Sequence, residues 1–406
     1  MMSKKPIPRA AMMPLAAAAL VLIFASSGAG AHAARLGLGT PPVGPCDPTI
    51  TSCVSTIAFS STRDHVSEGL IPPLLGAEVY LVKPVMNLDG TWALTNPRRL
   101  TSNTSFDGFG NLSPDGKQIV FDSTRAEPVD PLNPLNPSDL FLMNTDGTEQ
   151  TLLTRGASAT WSPDSKNIAF HASASGSGTP LRTDPGSATS DSDIFVANVD
   201  DLLAGVEQPR NLTNSPDKID EDADWSPNGQ KIAYTAHDVG DEGPNWPRGP
   251  FISNTAEIYV VNADGTGTPT RLTDNGYEER APASSPDGSR IVHSCRIGGG
   301  TTVFQICVIN AAVNPDGTLP VPTQLTNDTF GDLTATFSPD GQYILFHRRV
   351  GPPGSQQLFI MNASLNADGT LPQQTQLTFG TPTSPDGVNN LAHWGELRLM
   401  GPNAAP

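Results

Sequence analysis

A short phrase that recurs along this chain limits the folds it can adopt. A Ser-Pro-Asp-Gly turn, followed by a β-branched and aromatic run, begins at Ser113, and related phrases begin at Ser162, Ser226, Ser285 and Ser338. Proline presets φ and glycine accepts a positive φ, so each phrase predicts a tight turn between two strands. A fixed period of this length predicts a repeat architecture rather than one continuous core.

Each repeat divides into four predicted strands, named A to D from the centre outward. Strand A precedes the Ser-Pro-Asp-Gly turn, strand B is the Ile-Val-Phe run after it, strand C is a second β-branched run, and strand D ends in Leu-Thr. Six strands B are predicted at 57–59, 119–121, 168–170, 232–234, 291–293 and 344–346. Strands C are predicted at 78–82, 139–143, 193–197, 257–261, 305–309 and 357–361, and strands D at 99–101, 152–154, 211–213, 271–273, 324–326 and 376–378.

The two ends of the repeat array predict how it closes. The first repeat enters at strand B and lacks strand A, whereas the chain ends on an extra strand A at 391–394. A C-terminal strand that completes the first sheet removes open edges. The fold class predicted is therefore all-β, a six-bladed β-propeller of four-stranded antiparallel blades. It would span 54–398, after an extension at 34–53 and before a tail at 399–406.

These repeats resemble the TolB-type, WD40-like propeller repeats called PD40. The resemblance covers roughly 56–398 and is carried by the repeated Ser-Pro-Asp-Gly and Ile-Val-Phe phrases. It implies a β-propeller fold. TolB carries an α/β domain before its propeller, which we expect to be absent here, so roles of that domain are not transferred. Similar propellers precede the hydrolase domain of prolyl oligopeptidase-like enzymes, and no such domain is expected after residue 398.

The N-terminal segment predicts export. Lys4, Lys5 and Arg9 precede an apolar run at 11–25, and Ala31-His32-Ala33 is a small-x-small cleavage site. We therefore predict a signal peptide at 1–33, cleavage after Ala33, and a periplasmic or secreted mature chain with no membrane span.

The charge of the mature chain argues against nucleic-acid binding. The chain has 24 Lys+Arg and 41 Asp+Glu, and removal of three positive charges with the signal leaves 21 against 41, a net charge of −20. Nucleic acids and anionic membranes bind clustered Lys and Arg, so neither is an expected partner.

Four cysteines in an exported chain predict disulfides. Three pairings are possible, and we predict Cys46–Cys53 and Cys295–Cys307, with the second pair directly opposite each other on adjacent strands. The fifth repeat has Ser284 and His293 where other repeats have aromatic residues, so this bond is expected to compensate for a thinner core. The expected interblade aromatic residues are Trp161, Trp225, Phe337 and Trp394.

Strand order places the B–C and D–A loops on one face. The B–C loops of the first four repeats are long, at 64–77, 126–138, 172–192 and 236–256. Binding groups often lie on loops over a rigid scaffold, so Trp246, Phe251 and Tyr277 are candidate partner contacts. The alternative is that such loops are padding, which is the better interpretation for 172–192.

Acidic residues recur five positions before the strand A aromatic. Asp107, Asp220, Glu279 and Asp332 are expected to gather at a channel mouth, where they could bind a hard cation such as Ca²⁺. The alternative is that each acid bonds the backbone of its own turn and the ring is a solvated rim. The wider ligand-binding prediction adds Asp222, Asp224, Asn389 and His393.

Sequence motifs for catalysis are absent. The chain has no Gly-x-Ser-x-Gly or His-Glu-x-x-His motif, and His171, His293, His347 and His393 fall at repeat positions that predict structural roles. The function predicted is a non-enzymatic scaffold that binds a protein or peptide through the long-loop face and channel mouth. The alternatives are a metal-dependent glycan-active lyase or hydrolase, because some metal-dependent lyases of pectate fragments have a similar repeat style, and a carbohydrate-binding propeller.

Overall fold

The computed structural model describes residues 53–63, 77–126, 139–174, 180–181, 192–206, 208–239, 256–296, 303–350, 356–379 and 389–398. The predicted signal peptide, Cys46, Trp246 and Phe251 lie outside these ranges. Side chains are not described at 53–54, 173–174, 180–181, 389–391, 394 or 396–398, so for Cys53, Asn389 and Trp394 only the backbone is described.

The described residues form 27 strands and one short helix. The strands of the first three repeats, with the helix, are β1 (Cys53–Ser61), β2 (Glu78–Val82), β3 (Pro84–Met86), β4 (Trp92–Leu94), β5 (Arg98–Arg99), β6 (Asp107–Leu112), β7 (Gln118–Ser123), β8 (Asp139–Asn144), β9 (Thr151–Arg155), β10 (Ala157–Trp161), β11 (Asn167–Ala174), β12 (Pro180–Leu181), β13 (Ser192–Asn198), α1 (Val199–Ala204) and β14 (Arg210–Asn211). Those of the remaining repeats are β15 (Lys218–Trp225), β16 (Lys231–Asp238), β17 (Glu257–Asn262), β18 (Thr270–Arg271), β19 (Glu279–Ser284), β20 (Arg290–Cys295), β21 (Gln305–Asn310), β22 (Thr323–Gln324), β23 (Asp332–Phe337), β24 (Tyr343–Arg349), β25 (Gln356–Asn362), β26 (Thr375–Gln376) and β27 (Asn389–Arg398).

The strands assemble into antiparallel sheets in the predicted A-B-C-D order, which is the arrangement of a β-propeller. Four-stranded sheets have the orders β27-β1-β2-β5, β6-β7-β8-β9, β19-β20-β21-β22 and β23-β24-β25-β26. The first of them contains the last strand of the chain, since β27 pairs with β1 from Cys53↔Arg398 to Ser61↔Asn389.

The third and fourth repeats lie in one nine-stranded sheet. Within it, β10-β11-β13-β14 and β15-β16-β17-β18 each pair antiparallel, and a single parallel bridge, Ser192↔Ile219, joins β13 to β15. The bridge lies at the loop end of both strands, where the Ser192 hydroxyl also donates a hydrogen bond of 2.9 Å to the Asp220 carbonyl.

Three local features differ from the sequence predictions. The described strands D begin one residue or more before the predicted segments and, except β9, have two residues. A hairpin of β3 and β4 follows the first strand C, where the Asn87 carbonyl accepts a turn hydrogen bond of 3.0 Å from Gly90. Helix α1 follows β13 and is capped by Asn198. No helix in the described part of the chain is long and apolar enough to cross a membrane.

The core lies between neighbouring repeats and within each strand B–C pair. Trp161, Trp225 and Phe337 are buried in separate clusters that each draw on two successive repeats. In five repeats, the strand B aromatic faces an aromatic partner in strand C. The pairs are Phe59–Tyr80, Phe121–Phe141, Phe170–Phe195, Tyr234–Tyr259 and Phe346–Phe359, with ring centroids 5.7–5.9 Å apart.

The fifth repeat replaces this aromatic pair with a disulfide. Its strand register pairs His293 with Cys307, and Cys307 is bonded to Cys295. The predicted Cys295–Cys307 bond is therefore present, but the expectation that the two cysteines are directly opposite is wrong. Cys295 is opposite Gln305, two residues away, so the bond crosses the strand pair diagonally with a Cα–Cα distance of 5.9 Å.

Candidate functional site

The strands A surround a cavity of about 400 Å³. All six of them, β6, β10, β15, β19, β23 and β27, contribute to its wall. Phe106, on a D–A loop, and Gln356, at the end of a B–C loop, also line it. The cavity therefore lies toward the face that carries the D–A and B–C loops.

A bulge at the same place in five strands A shapes the cavity wall. The strand A–B register shifts by one residue there, and the bulged residue has a positive φ although it is not glycine. Such a conformation is strained for an L residue and is retained only where the surroundings hold it. The bulged residues are Phe109, Ser158, Asp222, Ala281 and Thr334, with φ between 49° and 55°.

Side chains from the preceding repeat hold four of these bulges. The N–H of Ser158 donates to the Asp122 carboxylate at 3.0 Å, and the N–H of Asp222 donates to His171 Nδ1 at 3.4 Å. In the next two repeats, Ala281 N–H donates to Thr235 and Thr334 N–H to Ser294, each at 3.1 Å. Every acceptor is the residue directly after the strand B aromatic position. His171, for which a structural role was predicted, thus links two repeats, because its ring accepts a hydrogen bond from the backbone of the next repeat.

Three of the predicted ligand-binding residues, Asp222, Asp224 and His393, line the cavity. The Asp224 carboxylate accepts hydrogen bonds from Ser284 N–H at 2.7 Å and the Thr160 hydroxyl at 3.4 Å. Burial raises the pKa of Asp224 to about 6. Burial also raises the pKa of Asp222, and the neighbouring Glu221 carboxylate adds to that rise.

Two histidines share this wall. Sequence reasoning placed His347 and His393 at different repeat positions and did not bring them together, but both line the cavity. Burial lowers the pKa of His347 to about 3 and that of His393 to about 4, so both rings are neutral at pH 7. His393 Nδ1 accepts a hydrogen bond of 3.4 Å from Leu112 N–H.

The four acids predicted to form a ring lie elsewhere. Asp107, Glu279 and Asp332 begin strands β6, β19 and β23, and Asp220 is the third residue of β15. All four are at most 1 % exposed and are not among the residues that line this cavity. Their partners belong to the same repeat or to the D–A loop that leads into it. The four carboxylates are thus buried inside separate repeats, and a ligand site that they share at a channel mouth stays a prediction.

Hydrogen bonds account for this inward placement. Asp332 binds Arg348 through two bonds, Nε to Oδ1 at 2.6 Å and Nη2 to Oδ2 at 2.7 Å. Asp107 accepts from the Ser123 hydroxyl at 2.6 Å and is also bound by Asn103 and Arg125. Burial raises the pKa of both acids, and the arginines oppose that rise.

Asp220 and Glu279 have fewer partners. Asp220 Oδ2 accepts from the Ser215 hydroxyl at 2.6 Å, whereas its Oδ1 is buried without a hydrogen bond. Glu279 is bound by Asn275, and its Oε2 lies 3.6 Å from His293 Nδ1. Burial raises the pKa of each to about 7.

A calcium site on these four acids finds no geometric support in the described ranges. Those ranges contain no group of three or more His, Cys, Asp or Glu side chains that could hold a metal ion. The metal prediction for Asp107, Asp220, Glu279 and Asp332 therefore gains nothing from the structure. The alternative of a solvated rim does not describe them either, because all four acids are buried and are bound by side chains.

A second set of buried polar residues, not identified from the sequence, positions the D–A loops. These residues begin strand C: Glu78, Asp193, Glu257 and Gln305 each accept a hydrogen bond from a backbone N–H of the following loop. Glu78 and Glu257 also bind a strand D arginine at 2.8 Å and 2.7 Å. The recurrence of an acid or glutamine at the start of every strand C was a signal that could have found them.

Three D–A loops carry aromatic side chains that differ in their exposure to solvent. Tyr277 is half-buried, whereas Phe330 is 45 % exposed and Phe379 is 69 % exposed. The Gln305 amide donates to the Asp328 carbonyl at 3.1 Å, which fixes the loop that presents Phe330. Phe330 and Phe379 were not among the predicted contacts, and they lie on the face predicted for binding.

The Glu279 environment predicts a pH-dependent stability. The folded pKa is about 7 against an ordinary value of 4.5, so between these values the folded chain keeps a proton that the unfolded chain releases. Stability from this group is full below about pH 4.5 and is lost as the pH rises through 7. Urea unfolding at pH 5 and pH 8 should show that Glu279→Gln reduces this loss by about 1–3 kcal/mol. An unchanged loss in Glu279→Gln would contradict the assignment, and Asp316→Asn in an exposed turn is the control.

Comparison with known proteins supports the fold. No family model matches the sequence. TolB from Acinetobacter baumannii matches with a TM-score of 0.55 at 18% identity, over 84% of this chain and 66% of that chain. A putative TolB from Agrobacterium tumefaciens gives a TM-score of 0.49 at 17% identity, over 85% and 99% of the two chains. An oligogalacturonate lyase from Vibrio parahaemolyticus gives a TM-score of 0.44 at 12% identity, over 75% and 73%.

Of these three matches, that to the Acinetobacter protein has a TM-score above 0.5 and the other two do not. The Acinetobacter match shows that this chain has a TolB-like propeller fold, and the chain spans just under two thirds of that TolB. The weaker likeness to the lyase carries no inference about catalysis.

Proposed function

We propose that this chain is a non-enzymatic propeller scaffold that binds a protein or peptide partner on the face of its D–A and B–C loops. The observation that carries the proposal is the exposure of Phe330 and Phe379 on the face toward which the central cavity lies. Exposed aromatic side chains beside a concave site are typical of protein-binding surfaces. The side chains of Glu78, Asp193, Glu257 and Gln305 hold the D–A loops in place through hydrogen bonds. Binding therefore requires little ordering of the described loops.

The scaffold is proposed to be a closed ring of six blades. The two antiparallel halves of the nine-stranded sheet count as two blades beside the four separate sheets. The pairing of β27 with β1 supports closure by the C-terminal strand, and the contribution of every strand A to one cavity supports a ring.

Export to the periplasm or the cell exterior completes the proposal. The basic and apolar N-terminal segment supports it, and so does the Cys295–Cys307 disulfide, since disulfides persist in oxidising compartments.

A binding experiment tests the proposed face. The mature chain is immobilised, partners are captured from envelope extract, and the strongest specific partner is purified and titrated. We expect Phe330→Ala/Phe379→Ala to weaken its affinity by about tenfold or more, because large anchors dominate such interfaces. Leu88→Ala is the matched control, since Leu88 is fully exposed in the β3–β4 turn on the opposite face. Equal affinities for the wild type and the phenylalanine variant would exclude this face.

A further inference from the structure

We propose that the central cavity receives a cationic side chain, that of a lysine or arginine, from the bound partner segment. The inference rests on the proposed function and adds the chemistry of the residue that enters the channel. Its geometric basis is the placement of Asp222 and Asp224 on one wall of a cavity of about 400 Å³. That volume is at the lower end of ligand pockets and suits one or two side chains rather than a folded element.

The charge of the wall favours a cation. Among the described residues that line the cavity, Asp222 and Asp224 are the acidic ones, and none is a lysine or an arginine. Arg280 lies close enough to lower the pKa of Asp222, but its guanidinium contacts Glu278 at 2.5 Å and Glu221 at 3.3 Å. The arginine is therefore engaged by other carboxylates, and the Asp222 and Asp224 carboxyl groups are the acidic groups that face the cavity.

An independent observation comes from another residue of the cavity wall. His347 lines the cavity and is 3 % exposed, and its Nδ1 has no hydrogen-bond partner in the described part of the chain. A buried polar atom without a partner is costly, and a ligand N–H can satisfy it. Because the ring is neutral at pH 7, Nδ1 can accept a hydrogen bond from an ammonium or guanidinium group.

Hydrogen bonds fix the position of the Asp224 carboxylate and of the Asp222 backbone on the cavity wall. Ser284 N–H and the Thr160 hydroxyl fix Asp224, and the bond from Asp222 N–H to His171 fixes the backbone that carries Asp222. Burial makes the ionised forms of both acids unfavourable, as the raised pKa of each shows. A bound cation would offset that cost, and small neighbours such as Ala223, Ala283 and Ala335 leave room for an alkyl stem.

Matched peptides test the inference on the full mature chain. Acetylated and amidated Gly-Ser-Arg-Ser-Gly is titrated by calorimetry against the same peptide with citrulline, which has nearly the same shape without the charge. We expect the arginine peptide to bind at least about tenfold more tightly than the citrulline peptide. Equal affinities, or no binding of the arginine peptide at millimolar concentration, would overturn the inference.

Variants locate the effect. Asp222→Asn/Asp224→Asn should abolish the preference for arginine, and asparagine tolerates the positive φ at position 222. The exposed turn variant Asp316→Asn should leave the preference unchanged. A preference that survives the double variant places the cation elsewhere and overturns the inference. If the double variant still binds the purified partner with full affinity while Phe330→Ala/Phe379→Ala does not, the inference falls and the proposed function stands.

Discussion

Replacing Asp332 with alanine is expected to lower the free energy of unfolding by about 3–5 kcal/mol, the usual effect of breaking a buried ion pair from one side. The Asp332 carboxylate is fully buried and forms two hydrogen bonds with the Arg348 guanidinium, at 2.6 Å and 2.7 Å. Its removal leaves the buried Arg348 cation with the Asp328 carboxylate, the Gln374 side chain and the rings of Phe346 and Phe359 as its described partners. Urea unfolding at pH 7, followed by fluorescence, measures the change.

Two further variants separate the pair from the charge. A buried ion pair gains attraction but loses hydration, so replacing both partners with apolar groups costs far less than removing one. Asp332→Ala/Arg348→Met should therefore recover much of the stability that Asp332→Ala loses. Asp316→Ala, in an exposed turn, should change stability by less than about 1 kcal/mol. A stability of Asp332→Ala within that same margin would mean that the carboxylate is not a structural partner and would revive its candidacy as a ligand.

The sheet pattern could be predicted because it depends on local chemistry. The Ser-Pro-Asp-Gly turns need particular residues, as the Ser113 hydroxyl shows by donating to Asp115 at 2.7 Å while Gly116 has a φ of 70°. The runs of β-branched and aromatic residues in strands B and C reflect burial between neighbouring sheets. Both signals recur in nearly every repeat and point to the same fold.

The bulges could not be predicted in this way. Phe109, Ser158, Asp222, Ala281 and Thr334 share no chemistry that favours a positive φ. Strand pairing within the sheet and a side chain from the preceding repeat impose the conformation. Only the acceptor has a sequence signature, a hydrogen-bonding residue after the strand B aromatic position.

The acidic residues show how spacing alone misleads. Equivalent positions in successive repeats predict a ring, but the direction of a side chain depends on which partner is nearest. Asp332 turns toward Arg348 of the same sheet, whereas Asp222 and Asp224, within strand A, lie on the cavity wall. His347 was assigned a structural role because it follows the strand B aromatic position, and its place on the cavity wall was not predicted.

Removal of the Cys295–Cys307 disulfide is expected to lower the free energy of unfolding by about 3 kcal/mol. The bond closes a loop with a sequence separation of 12, for which the loss of unfolded-state entropy predicts a value of this size. The surroundings of the bond also predict a loss of stability. The fifth repeat has His293 and Cys307 where the other five repeats have a pair of stacked or tilted aromatic rings, so it has no ring contact that could replace the disulfide. Cys295→Ala/Cys307→Ala, compared with wild type in urea unfolding without reductant, measures the loss.

The first repeat supplies a repair that tests the compensation itself. His293→Phe/Cys295→Ser/Cys307→Phe gives the fifth repeat the Phe-Ser-Ser run that begins at Phe59, with a phenylalanine at the position equivalent to Tyr80. An aromatic pair buries more apolar area than the residues it replaces, and its ring contact contributes about 0.5–1.5 kcal/mol beyond that area. The triple variant should therefore be more stable than Cys295→Ala/Cys307→Ala although it too lacks the disulfide. If removing the cysteines costs nothing, or if the rings fail to restore stability, the disulfide does not stand in for the missing aromatic pair.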